Sequence, residues 1–169
     1  VKIEVIRSAK RVKTVQARVV DGVLQVRAPA RLSDAELAPI IDDLKGKLTN
    51  RARKAQLDDK ALERRARELN RRYFDGKLEW ASIRWVTNQS KRAGSCTPAG
   101  GTRAAGTIRI SHRVAEMPAF VRDYVLVHEL AHLIEPNHGP RFWEWVNRYP
   151  KTERARGYLM GAGIEPVQE

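Results

Sequence analysis

The chain has 169 residues, with 32 basic and 20 acidic side chains, a formal charge of +12 and one cysteine. That length suits one domain, or one domain with a small appendage, and allows a real core. It excludes an internal disulfide, and no apolar run reaches the length of a membrane span. The charge favours acidic partners, nucleic acid first and anionic substrates second, with solubility alone as the plainer account. Cys96 as the lone cysteine fits a reducing cytoplasm. The N-terminus alternates charged and apolar residues, unlike a signal peptide, and the missing initiator methionine points to trimming or to a partial chain.

Residues 1–28 read as strands. Val15 to Val19 alternates, Asp21-Gly22 signals a type I′ hairpin turn, and Val23 to Val26 returns. Ser33 with Glu36 forms a capping box for a helix striped by Leu37, Ile40, Ile41, Leu44 and Leu48. A basic stretch, Arg51-Ala52-Arg53-Lys54, leads to a second helix over 59–74. Its stripe is Leu62, Ala66, Leu69 and Tyr73, and Asp75-Gly76 stops it. The opposite face carries Arg64, Arg65, Arg67, Arg71 and Arg72, which could bind phosphates. Interleaved Glu63 and Glu68 make an internally paired, solvated face the alternative. Strands are predicted over 79–87 and 107–111, with a Gly-, Ser- and Thr-rich loop over 94–106 that could cover a cleft. The 107–111 strand could lie at a sheet edge and take an extended peptide by β-augmentation, or be an internal strand. A buried helix follows, apolar almost all round from Phe120 to Ile134, and then a short helix opened by Pro140 that packs Phe142, Trp145, Val146 and Tyr149.

The chemistry concentrates in the buried helix. Three of the four histidines fall within eleven residues: His128-Glu129-Leu130-Ala131-His132, then His138. Residues four apart share a helix face, so His128 and His132 can offer nitrogens to one ion. Glu129, rotated by about 100° from His128, reaches a bound water instead. This HExxH pattern supplies two metal ligands and a general base from one helix. Pro136 should end the helix soon after His132 and let the chain turn back, bringing His138 in as third ligand; Glu135 is the rival for that place. Three imidazoles leave a fourth position open, as in catalytic zinc sites, and Zn²⁺ is the expected metal, with manganese, cobalt and iron as alternatives.

Other residues carry weaker expectations. His112 beside the 107–111 strand could stabilise an oxyanion, or be a surface residue. Tyr124 is expected in the core. Arg141 could hold a substrate anion or a neighbouring acid such as Glu144. Met160 could mimic a methionine turn or simply pack.

Residues 59–149 resemble the YgjP-like metallopeptidase family, relatives of the SprT-like and WLM proteases. The resemblance is carried by Gly94-Ser95-Cys96, by the run from Tyr124 to Leu133, and by the run from Glu135 to Trp143. The opening hairpin and Arg27-Ala28-Pro29 also look like that family's first segment. The chain departs from the family at Ala93, where an aromatic is usual. The resemblance implies an α+β, small zincin-like fold: a mixed β-sheet with an HExxH active-site helix and an N-terminal β-hairpin. The hairpin is placed at 1–31 and the metallopeptidase domain at 32–169. It implies zinc on His128, His132 and His138, Glu129 as base, and, as in SprT-type relatives, protein substrates bound to DNA. Cys96 could be a fourth ligand or inhibitory switch, or a small packing residue. Two rival functions share these residues: a metal-dependent phosphohydrolase acting on nucleotides, and a non-enzymatic nucleic-acid-binding module on the same scaffold.

Overall fold

The structure, a computed structural model, describes residues 2–20, 22–55, 57–101 and 105–164, without the side chains of 53–55. The chain is α+β, and its two sheets each combine parallel and antiparallel pairing. Two compact units divide it, Val1–Ala52 and Arg53–Glu169.

In the first unit, β1 (Lys2–Ser8), β2 (Gln16–Val20) and β3 (Val23–Pro29) form a sheet of order β1-β3-β2. The predicted hairpin is the antiparallel β2/β3 pair; β1 adds to β3 in parallel, from Lys2↔Val23 to Ser8↔Pro29. Asp21 of the expected turn lies outside the described residues, while Gly22 has φ +76°, the left-handed conformation a type I′ turn requires. Alternation along β3 points Leu24, Val26 and Ala28 into a core shared with Leu37, Ile41 and Leu48 of α1 (Asp34–Ala55). The capping box forms as expected: Ser33 N–H donates to Glu36 Oε2 at 2.9 Å, and Glu36 N–H to Ser33 Oγ at 3.3 Å. Because α1 buries its stripe on this sheet, most of the helix falls in the N-terminal unit, beyond the sequence-based division after residue 31. Arg51 lies in α1, as does the backbone of Arg53 and Lys54, whose side chains are outside the description.

The second unit opens with α2 (Asp59–Tyr73), capped by Asp58, whose carboxylate accepts from Lys60 N–H and Ala61 N–H. Its buried face is Leu62, Ala66, Leu69 and Tyr73, and left-handed Asp75 (φ 58°) and Gly76 (φ 70°) end it. Strands β4 (Trp80–Val86), β5 (Gly94–Thr97) and β6 (Gly106–Ser111) form a sheet of order β4-β6-β5. Of the two placements open for the 107–111 strand, the internal one is found: β6 is central, parallel to β4 and antiparallel to β5. The first four residues of the predicted 94–106 loop are an edge strand, and Thr102, Arg103 and Ala104 of that loop lie outside the described residues. The short α3 (His112–Ala115) leads to α4 (Ala119–Ala131), then α5 (Pro140–Val146) and α6 (Thr152–Gly161). Ile83, Trp85, Ile108 and Ile110 from the sheet meet α4's Val121, Tyr124, Val125 and Leu130 in one core, into which Phe142, Val146, Ala155 and Leu159 also pack. Met160 is 63 % exposed, so neither packing nor a methionine turn describes it. Among the described residues, no helix is long and apolar enough to cross a membrane.

Candidate metal centre

The metal-ligand spacing sits on the last turn of α4. His128 and Glu129 are almost wholly buried, 1 % and 2 % exposed, within a largely apolar helix. The helix closes at His132, where Leu133 N–H and Ile134 N–H donate to Leu130 O and Ala131 O in a tightened last turn. With Pro136 following, the chain turns back and brings His138 to the same point. One nitrogen from each of His128, His132 and His138 lies within 4.8 Å of the others. The Nε2 atoms of His128 and His138 are 3.2 Å apart.

These three imidazoles fit a metal ion. Metal–nitrogen bonds of about 2.0–2.1 Å at tetrahedral angles separate two ligand nitrogens by about 3.3–3.4 Å, close to the spacing found. Burial lowers the pKa of His128 well below its usual value, with His132 and His138 adding repulsion; burial also lowers His132 and His138. Neutral rings keep the lone pairs that a cation needs. His132 is oriented from behind, its Nδ1 being 3.2 Å from the carbonyl oxygen of Glu135, which leaves Nε2 for the shared point. The Nδ1 of His128 is buried and has no partner among the described residues.

Glu135, the rival ligand, is placed otherwise. Its carboxylate faces Arg141 at 3.7 Å, and its carbonyl holds His132. Arg141 is therefore next to Glu135 rather than Glu144. Tyr124 is buried one turn before His128, with ring centroids 5.9 Å apart, and burial raises its hydroxyl to about 12. His112 heads α3 outside the histidine cluster, with a buried Nδ1 that has no partner among the described residues. Cys96 is half-buried against the core and outside the ligand group; burial first, then Glu129, raises its thiol to about 12.

Two neighbours complete the centre that the motif alone did not reveal. Phe142 of α5 is fully buried under all three imidazoles, with ring centroids 4.8, 4.5 and 4.7 Å from His128, His132 and His138. Its apolar pattern marked it only as a packing residue. Gly94 of β5 lies against the Glu129 carboxylate so closely that a Cβ there would stand 2.7 Å from Oε1. Burial raises the Glu129 carboxyl to about 8, and the positive charge of Arg92 works against that rise. The centre thus combines three convergent neutral imidazoles with a desolvated carboxyl group on the adjacent helical position.

A family model described as YgjP-like, metallopeptidase domain matches residues 76–161, just over half of the chain. No curated protein and no solved structure matches it.

Proposed function

Because the chain belongs to the YgjP-like metallopeptidase family, we propose that it is a zinc-dependent peptidase of the small zincin type, hydrolysing peptide bonds of proteins held at nucleic acid in the cytoplasm. The observation that carries the reading is the convergence of His128, His132 and His138 beside buried Glu129. His128 and His132 hold the metal from α4 and His138 from the turn beyond it, with Phe142 as the apolar floor that fixes the three rings. A zinc ion bound there supplies Lewis acidity, polarising a carbonyl and bringing the pKa of a water to about 7.

Glu129 moves the protons. Its surroundings favour the protonated form, so its carboxylate is a willing acceptor when water attacks the carbonyl carbon. The same Glu129 oxygen then returns the proton to the departing amine nitrogen as the C–N bond breaks. The positive charge of Arg92 opposes the rise in the Glu129 pKa without cancelling it. Among the described residues β5 has no strand partner but β6, which leaves its other edge without one beside Gly94 and Glu129. An extended substrate added along that edge would be fixed by main-chain hydrogen bonds next to the reacting groups. The excess of basic residues supports the nucleic-acid link.

The test is Glu129→Gln in the zinc-loaded chain, assayed for metal content, fold and cleavage of a DNA-binding protein. Gln keeps the shape and removes the base, so metal and fold should persist while hydrolysis disappears. Undiminished cleavage by that variant overturns the assignment.

A further inference from the structure

The outer face of the β4-β6-β5 sheet carries two cationic side chains with no ion pair among the described residues. Strand alternation turns Ile83, Trp85, Ile108 and Ile110 into the core. It leaves Ser82, Arg84 and Val86 of β4, Thr107 and Arg109 of β6, and Ser95 and Thr97 of β5 on the opposite face. No carboxylate stands among these outward positions.

Arg84 and Arg109 are direct cross-strand partners in the parallel β4/β6 register. Neighbouring strands lie about 4.8 Å apart, so two positive side chains rise together from adjacent strands, a placement that is unfavourable by itself. Their hydrogen bonds go only to neutral acceptors: Arg84 Nη2 donates to Ser82 Oγ at 3.2 Å, and Arg109 Nη2 to Asn88 Oδ1 at 2.8 Å. Neither makes an ion pair among the described residues. Three of the five arginines on the exposed face of α2 behave differently, while Arg71 and Arg72 have no ion pair among the described residues and Arg72 lies over the Tyr73 ring. Arg64 faces Asp58, Arg65 pairs with Asp123 and Glu68, and Arg67 pairs with Glu63. Those guanidinium groups already have their counter-charges; the sheet pair does not.

The pair also borders a concavity. Arg84, Val86, Thr87, Asn88, Thr107 and Arg109 line an open groove of about 530 Å³. Two guanidinium forks with threonine hydroxyls beside them suit phosphate oxygens, which accept paired N–H bonds. Exposed Lys91 and Arg92 follow in the connection to β5, and Arg92 acts electrostatically on Glu129. Along the chain, two more exposed basic residues therefore follow the groove's Thr87 and Asn88.

The geometry points to this sheet face as the binding groove for a single-stranded nucleic acid, with Arg84 and Arg109 each taking a backbone phosphate. The inference rests on the nucleic-acid link proposed above and gives that link a location. A strand is favoured over a lone phosphate because the groove is open, its lining has no acid, and it carries two arginines side by side on adjacent strands.

Fluorescence anisotropy of a labelled oligodeoxythymidine with the full chain, across a salt series, tests it. Each phosphate contact contributes about 0.7 to the slope of log affinity against log salt for single strands. Arg84→Gln with Arg109→Gln should flatten that slope by about 1.4 and weaken binding about 25-fold at roughly 0.1 M salt, taking 1 M as reference. Arg64→Gln with Arg67→Gln removes the same charge from α2 and should leave the slope near wild type. Arg84→Lys with Arg109→Lys should retain the slope, which separates loss of charge from loss of fold, with circular dichroism confirming each variant. No binding by the wild type, equal losses from both glutamine pairs, or a slope lost in the folded lysine pair would overturn the inference. So would displacement of the strand by a nucleoside triphosphate at equal phosphate concentration, which identifies a mononucleotide site. Peptide cleavage measured in parallel distinguishes failure of this groove from failure of the peptidase reading.

Discussion

Gly94→Ala places one methyl group against the proposed base. The added Cβ would lie 2.7 Å from Oε1 of Glu129, 2.9 Å from Cγ and 3.0 Å from Cδ. Ordinary carbon contacts begin at about 3.5 Å, so a displacement of roughly 0.5–0.8 Å is needed somewhere. Glu129 has little room to yield, being buried on a helix packed on all sides. Among the described residues strand β5 pairs with β6 alone, so part of the shift falls there and part on the carboxylate. Overpacking of this size costs about 1–3 kcal/mol of stability. Misplacement of a reacting group by about 1 Å can cost on the order of 100-fold in rate, so the expected loss in kcat is about 10- to 100-fold. None of the three histidines is among the nearest atoms to the added Cβ, so the metal content should stay at one per chain. Denaturant melts, metal analysis and steady-state peptide hydrolysis read the three quantities separately. Ser95→Ala is the control, since it removes a hydrogen bond from Gln89 Nε2 on the opposite face of the same strand. It should lower stability without a matching loss in kcat. A Gly94→Ala protein with wild-type kcat, or one that loses activity only in step with its metal, would refute the account.

The metal-free protein should be most stable near pH 6.5 and weaken toward pH 8. The lowered histidines contribute stability that is present above their unfolded value of 6.5 and lost as pH falls. Glu129, raised from 4.5 to about 8, contributes stability that is present below 4.5 and lost as pH rises through 8. From pH 6.5 to 8 its share is about 2 kcal/mol at 1.36 kcal/mol per unit, and chelator-treated Glu129→Gln should show a flatter profile in urea melts. Phe142→Ala removes a fully buried ring that touches all three imidazoles. It should cost about 3–5 kcal/mol and also weaken zinc retention in a competition with a chromogenic chelator; unchanged retention in the folded variant would show that the ring packs without fixing the ligands.

What the sequence made legible was local. His128, Glu129 and His132 fall within five residues of one helix, and a turn at Pro136 suffices to return His138, so spacing alone anticipates the cluster. The second helix was equally plain, because Leu62, Ala66, Leu69 and Tyr73 repeat on one face and Asp75-Gly76 stops it. Helix α6 went unread: Ala155 and Leu159 are its buried apolar residues, too few to reveal a stripe among charged neighbours. Strand β5 was taken for loop because Gly-Ser-Cys-Thr lacks strand formers; pairing with β6 makes it a strand.

Strand order was the decisive hidden quantity. Placing β5 outside β6 brings Gly94 to Glu129, thirty-five positions later in the chain, and places Arg84 beside Arg109, twenty-five positions later. Neither juxtaposition has a sequence period, since it is fixed by how three short strands share hydrogen bonds. The same order puts 94–97 rather than 107–111 at the sheet edge, so an added peptide strand would run beside the proposed base. A glycine is needed at the one place where that edge meets the carboxylate, and arginines are tolerated on the face turned away from the core. The motif therefore identifies the chemistry, while the register of β4, β6 and β5 determines what can approach it.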